Sequence, residues 1–390
     1  MKVNKGKILI LCSVFFFVSG CRFKKEVEIS IPIDEKGTVS FNEQATNENA
    51  YDQEELYMQT LDVNFKELDL NEFAQVFLNV PSIDEAEKYK PKHNFGQYYY
   101  EANGKIISYV KESGIVGYND EVDGASECYN AIISAGGYFV EGLGSSLRRL
   151  CPEEELDICT RKQAIEACSE YAQACGYDDA DISTYAFTLD VINKINDDYY
   201  DGKLSAPGEG FQIVTRGQIW ELRDAGKDEE AEKLEDKLHS ATERGLPWKK
   251  EHEAILIYYR PKLNKLCIDS MNAGLAVVYV PYTDKIVYIS GNVPYEQIGI
   301  SEINELTSKE KAVSQAAQVL GVRSSEDIEI NQISLVYAIQ YSEDDQYCAV
   351  PTWKIDYLLK NANEYTMRSD TGSIRVDAVS GFVLDYWKQE

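Results

Sequence analysis

The chain has few of the side chains that enzymes use for metal binding or for proton transfer at neutral pH. It contains three histidines in 390 residues, His93, His239 and His252, and none has a histidine or cysteine neighbour at metal-ligand spacing. It has no Cys-x-x-Cys pair, nucleophile elbow or phosphate-binding loop. The acidic run 196–202 lacks the ligands of a calcium loop. We therefore expect no catalytic residue, no metal and no cofactor, and a protein that is not an enzyme.

Long apolar runs are also missing. The run from Ile8 to Val18 is about 11 residues, whereas a membrane-spanning helix needs roughly 20. Lys2, Lys5 and Lys7 precede this run, and small residues follow it. A basic start, a short apolar stretch and small residues are typical of a secretory signal, so we expect residues 1–20 to be removed on export.

The end of this segment, Val18-Ser19-Gly20-Cys21, resembles the lipobox of bacterial lipoproteins. The resemblance implies cleavage between Gly20 and Cys21, a lipid on the Cys21 sulfur and attachment to the extracytoplasmic face of the cell membrane. Two acyl chains would anchor the protein stably in the membrane, because each CH₂ buried in the bilayer contributes about 0.8 kcal/mol. The alternative is an ordinary signal peptide that happens to be followed by a cysteine.

Basic residues are scarce relative to acids. Lysine and arginine number 39 against 66 aspartates and glutamates, which gives a formal net charge of −27. Loss of the three lysines in residues 1–20 would lower the charge to −30. Nucleic acids bind clustered cations, so we exclude them as partners. The acidic balance favours solubility and leaves membrane attachment to the lipid on Cys21.

Seven cysteines follow Cys21, and an odd number cannot pair completely within one chain. Two of them, Cys168 and Cys175, are placed by their spacing on one face of a predicted helix, as small core residues. Free thiols are therefore favoured over a disulfide framework. If a bridge exists, Cys151 and Cys159 are the first candidates. The seven are Cys128, Cys151, Cys159, Cys168, Cys175, Cys267 and Cys348.

The remaining chain, about 370 residues, is more than one ordinary core usually holds. Local patterns divide it further. Asn103-Gly104 between two strand-like runs predicts a hairpin over 97–110, and the apolar spacing of Tyr51–Leu78 predicts a helix. The expected segments are a signal peptide (1–20), an acidic flexible tether (21–50), an N-terminal α+β region (51–150), a first α+β unit (151–300) and a second α+β unit (301–390).

A repeated order of elements supports the last two segments. A capped amphipathic helix begins at Thr160 and ends at Gly176, and a strand is predicted over Ile182–Ile192. A second capped helix runs from Thr307 to Gly321 and is again followed by strands. Both copies have the order helix, strand, strand, strand. The first copy is interrupted at about 193–253 by a charged segment that predicts a helical hairpin.

The second copy contains Val350-Pro351-Thr352-Trp353 and the run Val376-Asp377-Ala378-Val379-Ser380-Gly381. These motifs resemble PepSY-like domains, small modules of exported bacterial proteins. As a whole the chain is similar to clostridial-type lipoproteins of unknown function. The resemblance implies an α+β fold in which two antiparallel sheets each carry a packed helix, as two PepSY-like units, plus the helical hairpin insertion.

These patterns favour a binding or regulatory module for an exported or membrane protein, engaged through the faces or edges of its sheets. An exported hydrolase acting on peptide or carbohydrate is the alternative, because paired carboxylates meet only in space. A solute-binding protein is disfavoured, since alternating βα units are not seen.

The anchor assignment can be tested by Cys21→Ala. We expect the variant to leave the membrane fraction and to incorporate no radiolabelled palmitate, because the sulfur that carries the lipid is gone. Continued palmitate labelling of the variant would show that the lipid is attached elsewhere.

Overall fold

A computed structural model describes eleven ranges of the chain. They are residues 39–41, 57–90, 98–120, 151–200, 222–223, 225–239, 249–270, 273–323, 328–341, 346–359 and 371–384. Gly20, Cys21 and Cys128 lie outside them, as does most of the predicted tether (21–50); residues 39–41 of that segment are described and form a strand that pairs in parallel with residues 328–330.

The described residues contain sixteen strands. In chain order they are β1 (Val39–Phe41), β2 (Tyr57–Phe65), β3 (Glu87–Tyr89), β4 (Tyr98–Ala102), β5 (Lys105–Val110), β6 (Ile115–Asp120), β7 (Ala180–Phe187), β8 (Ala254–Leu263), β9 (Leu266–Asp269), β10 (Leu275–Val280), β11 (Lys285–Asn292), β12 (Tyr295–Glu305), β13 (Ile328–Tyr341), β14 (Tyr347–Leu359), β15 (Thr371–Asp377) and β16 (Val383–Leu384).

Five α-helices accompany the strands in the same ranges, together with short 3₁₀ turns at Ile83–Glu85 and Lys250–His252. None of these helices is both long and apolar enough to cross a membrane. The helices are α1 (Leu70–Leu78), α2 (Arg161–Ala174), α3 (Leu189–Tyr200), α4 (Asp228–His239) and α5 (Lys309–Arg323).

The first part of the sheet is antiparallel, in the order β3–β4–β5–β6–β11–β10–β8–β7. Helices α1 and α2 pack on one of its faces. The Phe77 ring of α1 lies 5.3 Å from Tyr118 of β6 and 5.2 Å from Tyr171 of α2, centroid to centroid. Phe77 and Tyr118 are buried and Tyr171 is partly buried, and their packing joins the helices and the sheet into one core.

The second part of the sheet has the order β12–β2–β14–β13, with β15 and β16 continuing from the C-terminal half of β14. Small residues of α5, Ala312 and Ala316, are fully buried against Ile355 of β14 and Val376 of β15. Alanine at these positions lets the helix approach the strands closely.

Strands β8 and β9 join the two parts. They form a hairpin whose turn residues, Asn264 and Lys265, have φ of 47° and 71°. β9 then pairs in parallel with β13, with Ile268 opposite Tyr337 and Asp269 opposite Ala338. The described strands therefore belong to one mixed sheet.

The predicted fold class is wrong. The sequence indicated an α+β protein with separate antiparallel sheets, each carrying a helix as a PepSY-like unit. The structure has one large mixed sheet with a minority of short helices. The prediction failed because strand patterns give the faces of a strand but not its neighbours, and the β9–β13 pairing joins residues far apart in sequence.

Two local predictions need correction. The predicted helix Tyr51–Leu78 is strand β2 followed by helix α1, which begins at Leu70 after the Asp69 cap. The predicted strand Ile182–Ile192 ends at Phe187, and Leu189 already begins helix α3. In both, apolar residues at mixed spacing concealed a change from strand to helix.

A buried cluster of charges lies where β9 meets the second part of the sheet. Arg375 Nη2 of β15 is 2.7 Å from Asp269 Oδ2 of β9. Lys354 Nζ of β14 is 3.6 Å from Asp269 Oδ1 and 3.6 Å from Asp356 Oδ1. Arg375 is 2% exposed, and Asp269 and Lys354 are each 8% exposed.

Charge balance explains this arrangement. Lys354 and Arg375 lie directly opposite each other on β14 and β15, where two like charges repel. Asp269 contacts both cations and offsets that repulsion. Burial lowers the pKa of Lys354, but Asp269 and Asp356 outweigh this effect, and the pKa is raised overall. The lysine therefore stays charged.

Removal of one charged side chain from this cluster should destabilise the fold. We expect Lys354→Ala to lower the free energy of unfolding by about 3–5 kcal/mol, because it removes one of the two cations that contact the buried Asp269. Urea denaturation measures the change. The matched control is Lys111→Ala, which removes an exposed ion pair with Glu67 and should leave the midpoint unchanged. Equal shifts for the two variants would contradict a structural role for the cluster.

Candidate protein-binding edge

Strand β12 forms an outer edge of the sheet. Its eleven residues have β2 as their one strand neighbour within the described ranges, in a register that runs from Tyr295 opposite Phe65 to Glu305 opposite Tyr57. The backbone groups on the other side of such a strand have no ladder to join. An edge of this kind is a template for an added strand.

Two irregularities shape this edge. The register shifts between Gln297 and Gly299, and again between Ile300 and Glu302. Bulges of this kind turn side chains away from the regular pleat. Ile298 is 57% exposed and Ile300 is 50% exposed, although Ile300 lies opposite the fully buried Leu61. The edge thus presents two large apolar side chains to solvent.

The same edge is acidic. Strands β2 and β12 together contain Asp62, Glu296, Glu302 and Glu305 and no lysine, arginine or histidine. The carboxylate of Asp62 accepts a hydrogen bond from Ser301 across the pair. A Cβ atom at Gly299 would meet Asp62 Oδ2 at 2.6 Å, so glycine at 299 allows this close approach.

Other outer strands of the described sheet are shorter or carry paired charges. β3 has three residues, and its Lys88 Nζ lies 4.2 Å above the Tyr98 ring. β16 has two residues. β7 is longer, but its Asp181 forms a 3.9 Å ion pair with Arg260 of the neighbouring strand. Short length, lysines and bulges protect edges from pairing. β12 is long and contains no lysine, and of these three features it has only the bulges.

A shallow cleft lies near the start of β12. Its volume is about 250 Å³, and its lining includes Phe65, Tyr109 and Tyr347. Its acid Glu67 is ion-paired at 2.5 Å with Lys111. The hydrogen bond from Lys111 and its positive charge lower the pKa of Glu67, so this carboxyl group is not held protonated as a general acid would be.

The described cysteines all have free thiols. Burial raises the pKa of Cys151 to about 12 and also raises the pKa of Cys168 and Cys175. These thiols are therefore protonated and unreactive at neutral pH. Cys151 and Cys159, the first candidates for a bridge, are unpaired here.

Sequence reasoning proposed edges as a binding mode but missed this edge. β12 was not recognised as a strand, and its partner β2 was assigned to a helix. The sequence pattern that indicates a strand here is short, since Ile298 and Ile300 alternate with small and polar residues after Pro294. Alternation indicates a strand, but it does not indicate that the strand lies at an edge.

Comparisons with known proteins identify the fold but not the activity. No family model and no curated protein sequence matches the chain. An uncharacterised protein from Eubacterium rectale ATCC 33656 is similar at a TM-score of 0.54 and 14% identity, over 91% of this chain and 92% of that chain. At this identity the similarity shows a shared fold alone.

A second solved structure, the Bacillus megaterium YpeB C-terminal domain, is similar at 8% identity over 83% of this chain and 97% of that chain. Its TM-score of 0.32 is too low to establish a common fold.

The exposed isoleucines should contribute little to folding. We expect Ile298→Ser and Ile300→Ser each to change the free energy of unfolding by no more than about 0.5 kcal/mol, as exposed positions usually do. Leu61→Ala on the neighbouring strand should cost about 2–5 kcal/mol, because Leu61 is fully buried. Chemical denaturation compares them. If Ile298→Ser or Ile300→Ser lowered the free energy of unfolding as much as Leu61→Ala, these isoleucines would be packed rather than exposed.

Proposed function

We propose that this chain is a lipid-anchored extracytoplasmic protein that binds, and thereby regulates, an exported or membrane protein. The observation that carries the proposal is the exposed edge strand β12, with Ile298 and Ile300 facing solvent. A partner segment that adds a strand here would gain backbone hydrogen bonds along the edge and apolar contacts with the two isoleucines.

The sequence supports the location. A lipid on Cys21, which the lipobox resemblance implies, would hold the chain at the outer face of the membrane. Residues 22–38 of the predicted acidic tether, which precede strand β1, would give the sheet reach from that surface. An anchored binding module meets partners that are exported or that expose a segment outside the membrane.

The motifs of the C-terminal segment support the class of function. Residues 350–353 and 376–381 resemble PepSY-like domains, which occur in extracytoplasmic regulators and in peptidase propeptides. The E. rectale protein adds a shared fold without a known activity.

Site-specific photocrosslinking in the native cell tests the proposal. A photoreactive residue at position 298 should give one crosslinked partner of defined mass. The matched control is position 382, because Phe382 is 75% exposed but lies in the turn before β16. Position 382 should not give that product.

The Ile298→Ser, Ile300→Ser double variant should lose the same crosslink when the photoreactive residue is moved to position 297, while the protein stays folded. Identical products from 298 and 382, or a product that survives the double variant, would argue against β12 as the binding edge.

A further inference from the structure

The outer hairpin of β3 and β4 lies at the opposite end of the strand order from β12 and differs from it in charge. We propose that this hairpin lies against an anionic bilayer surface, with Lys88 and Lys90 at the lipid phosphates and Tyr98 among the headgroups. The inference rests on the membrane location given under the proposed function. It adds an orientation, because it names the end of the sheet that faces the lipid.

Alternation along the two strands separates the charges of this hairpin by face. Lys88 lies opposite Tyr100, whereas Glu87 lies opposite Glu101. Successive side chains of a strand point to opposite faces, so the lysine and the two glutamates lie on different sides of the hairpin. Tyr98, two residues before Tyr100, shares the face of Lys88. One face is therefore cationic and aromatic, in a chain whose formal net charge is −27.

The cations and the aromatic ring of this face are close together and exposed. Lys88 Nζ lies 4.2 Å from the centroid of the Tyr98 ring, and Lys90 Nζ lies 5.5 Å from it, within the range of cation–π attraction. Both lysines are exposed, and Tyr98 is 43% exposed. Within the described residues neither lysine forms an ion pair. Their charges are therefore available to an anion outside the chain.

A lipid interface fits these side chains better than a dissolved anion does. Sites for small ligands are concave, whereas Lys88 and Lys90 are exposed on, and just after, an outermost strand. Tyrosine suits the headgroup region because its ring is apolar and its hydroxyl group is polar. Lysine can lay its alkyl stem along apolar surface while its ammonium group reaches the phosphates. The lipid implied at Cys21 would keep a bilayer within reach.

The acidity of the whole chain limits the strength of this contact but does not prevent it. Exposed charges are screened beyond about 8–10 Å at physiological ionic strength, so a bilayer interacts mainly with the charges nearest to it. Two lysines attract an anionic surface weakly, and attachment therefore stays with the lipid on Cys21. The hairpin sets the orientation, in which the acidic strands β2 and β12 remain open to a partner.

Photocrosslinking to lipid tests the orientation on the lipidated full chain. The chain is reconstituted in phosphatidylcholine vesicles in which about one third of the lipid is phosphatidylglycerol, with a photoreactive residue at position 98. The matched control is position 282, because Tyr282 is 37% exposed in the turn between β10 and β11. We expect position 98 to label phospholipid at least about fivefold more than position 282. The labelling should fall at least about threefold in pure phosphatidylcholine vesicles, and also when salt is added.

Matched charge reversals separate this patch from the general charge of the chain. Lys88→Glu with Lys90→Glu should reduce lipid labelling from position 98 about fivefold. The control pair, Lys162→Glu with Lys233→Glu, changes the net charge equally at exposed positions of α2 and α4 and should reduce the labelling less than about twofold. The neutral pair Lys88→Gln with Lys90→Gln should give an intermediate loss, and it replaces the reversal if that variant does not fold. Equal losses for the patch and control pairs would overturn the inference.

The remaining outcomes distinguish this inference from the proposed function. A lipidated chain that floats with the vesicles but labels lipid equally from 98 and 282 has no such orientation, and only this inference fails. Equal labelling from 98 in neutral and anionic vesicles would overturn the role of the lysines and the inference with it. A chain that carries no lipid and does not float would overturn the membrane location itself. Stronger lipid labelling from position 298 than from 98 would place β12 at the bilayer and contradict both proposals.

Discussion

The ion cluster around Asp269 is the contact on which the continuity of the sheet depends. β9 meets β13 over two residues, a ladder too short to define a joint alone. Asp269, at the end of β9, contacts Lys354 of β14 and Arg375 of β15, which lie beyond β13 in the sheet. Cations on adjacent strands would repel without it. The cluster therefore couples the position of β9 to that of β14 and β15, and through β14 to β2 and β12.

Features set by neighbouring residues could be predicted from sequence. The Asn103-Gly104 hairpin is confirmed, with φ of 56° and 71° at the turn. The cap of α2 is confirmed as well, because Thr160 and Gln163 form a reciprocal capping box. Each depends on a few adjacent residues whose side chains or backbone preferences decide the conformation. Such signals needed no knowledge of the rest of the chain.

The β9–β13 junction and the β12 edge could not be predicted, because both depend on residues that are far apart in sequence. The role of Asp269 depends on residues more than eighty positions away, and the pattern around it resembles any short strand. The exposure of Ile298 depends on the position of β12 at the end of the described strand order, with β2 on one side and no described strand on the other. The sequence carries the alternation that makes a strand, but the order of strands is decided by long-range pairing.

The pairing of β2 has a consequence in time. This strand is made early, yet its partners β12 and β14 follow about 230 or more residues later. At roughly 5–20 residues per second of synthesis, that separation is on the order of 10–50 seconds. During this interval Leu61 and Val63 have no sheet to enter. The chain can reach its final topology only near the end of its synthesis. Any chaperone that shields β2 must therefore act on the nascent or translocating polypeptide.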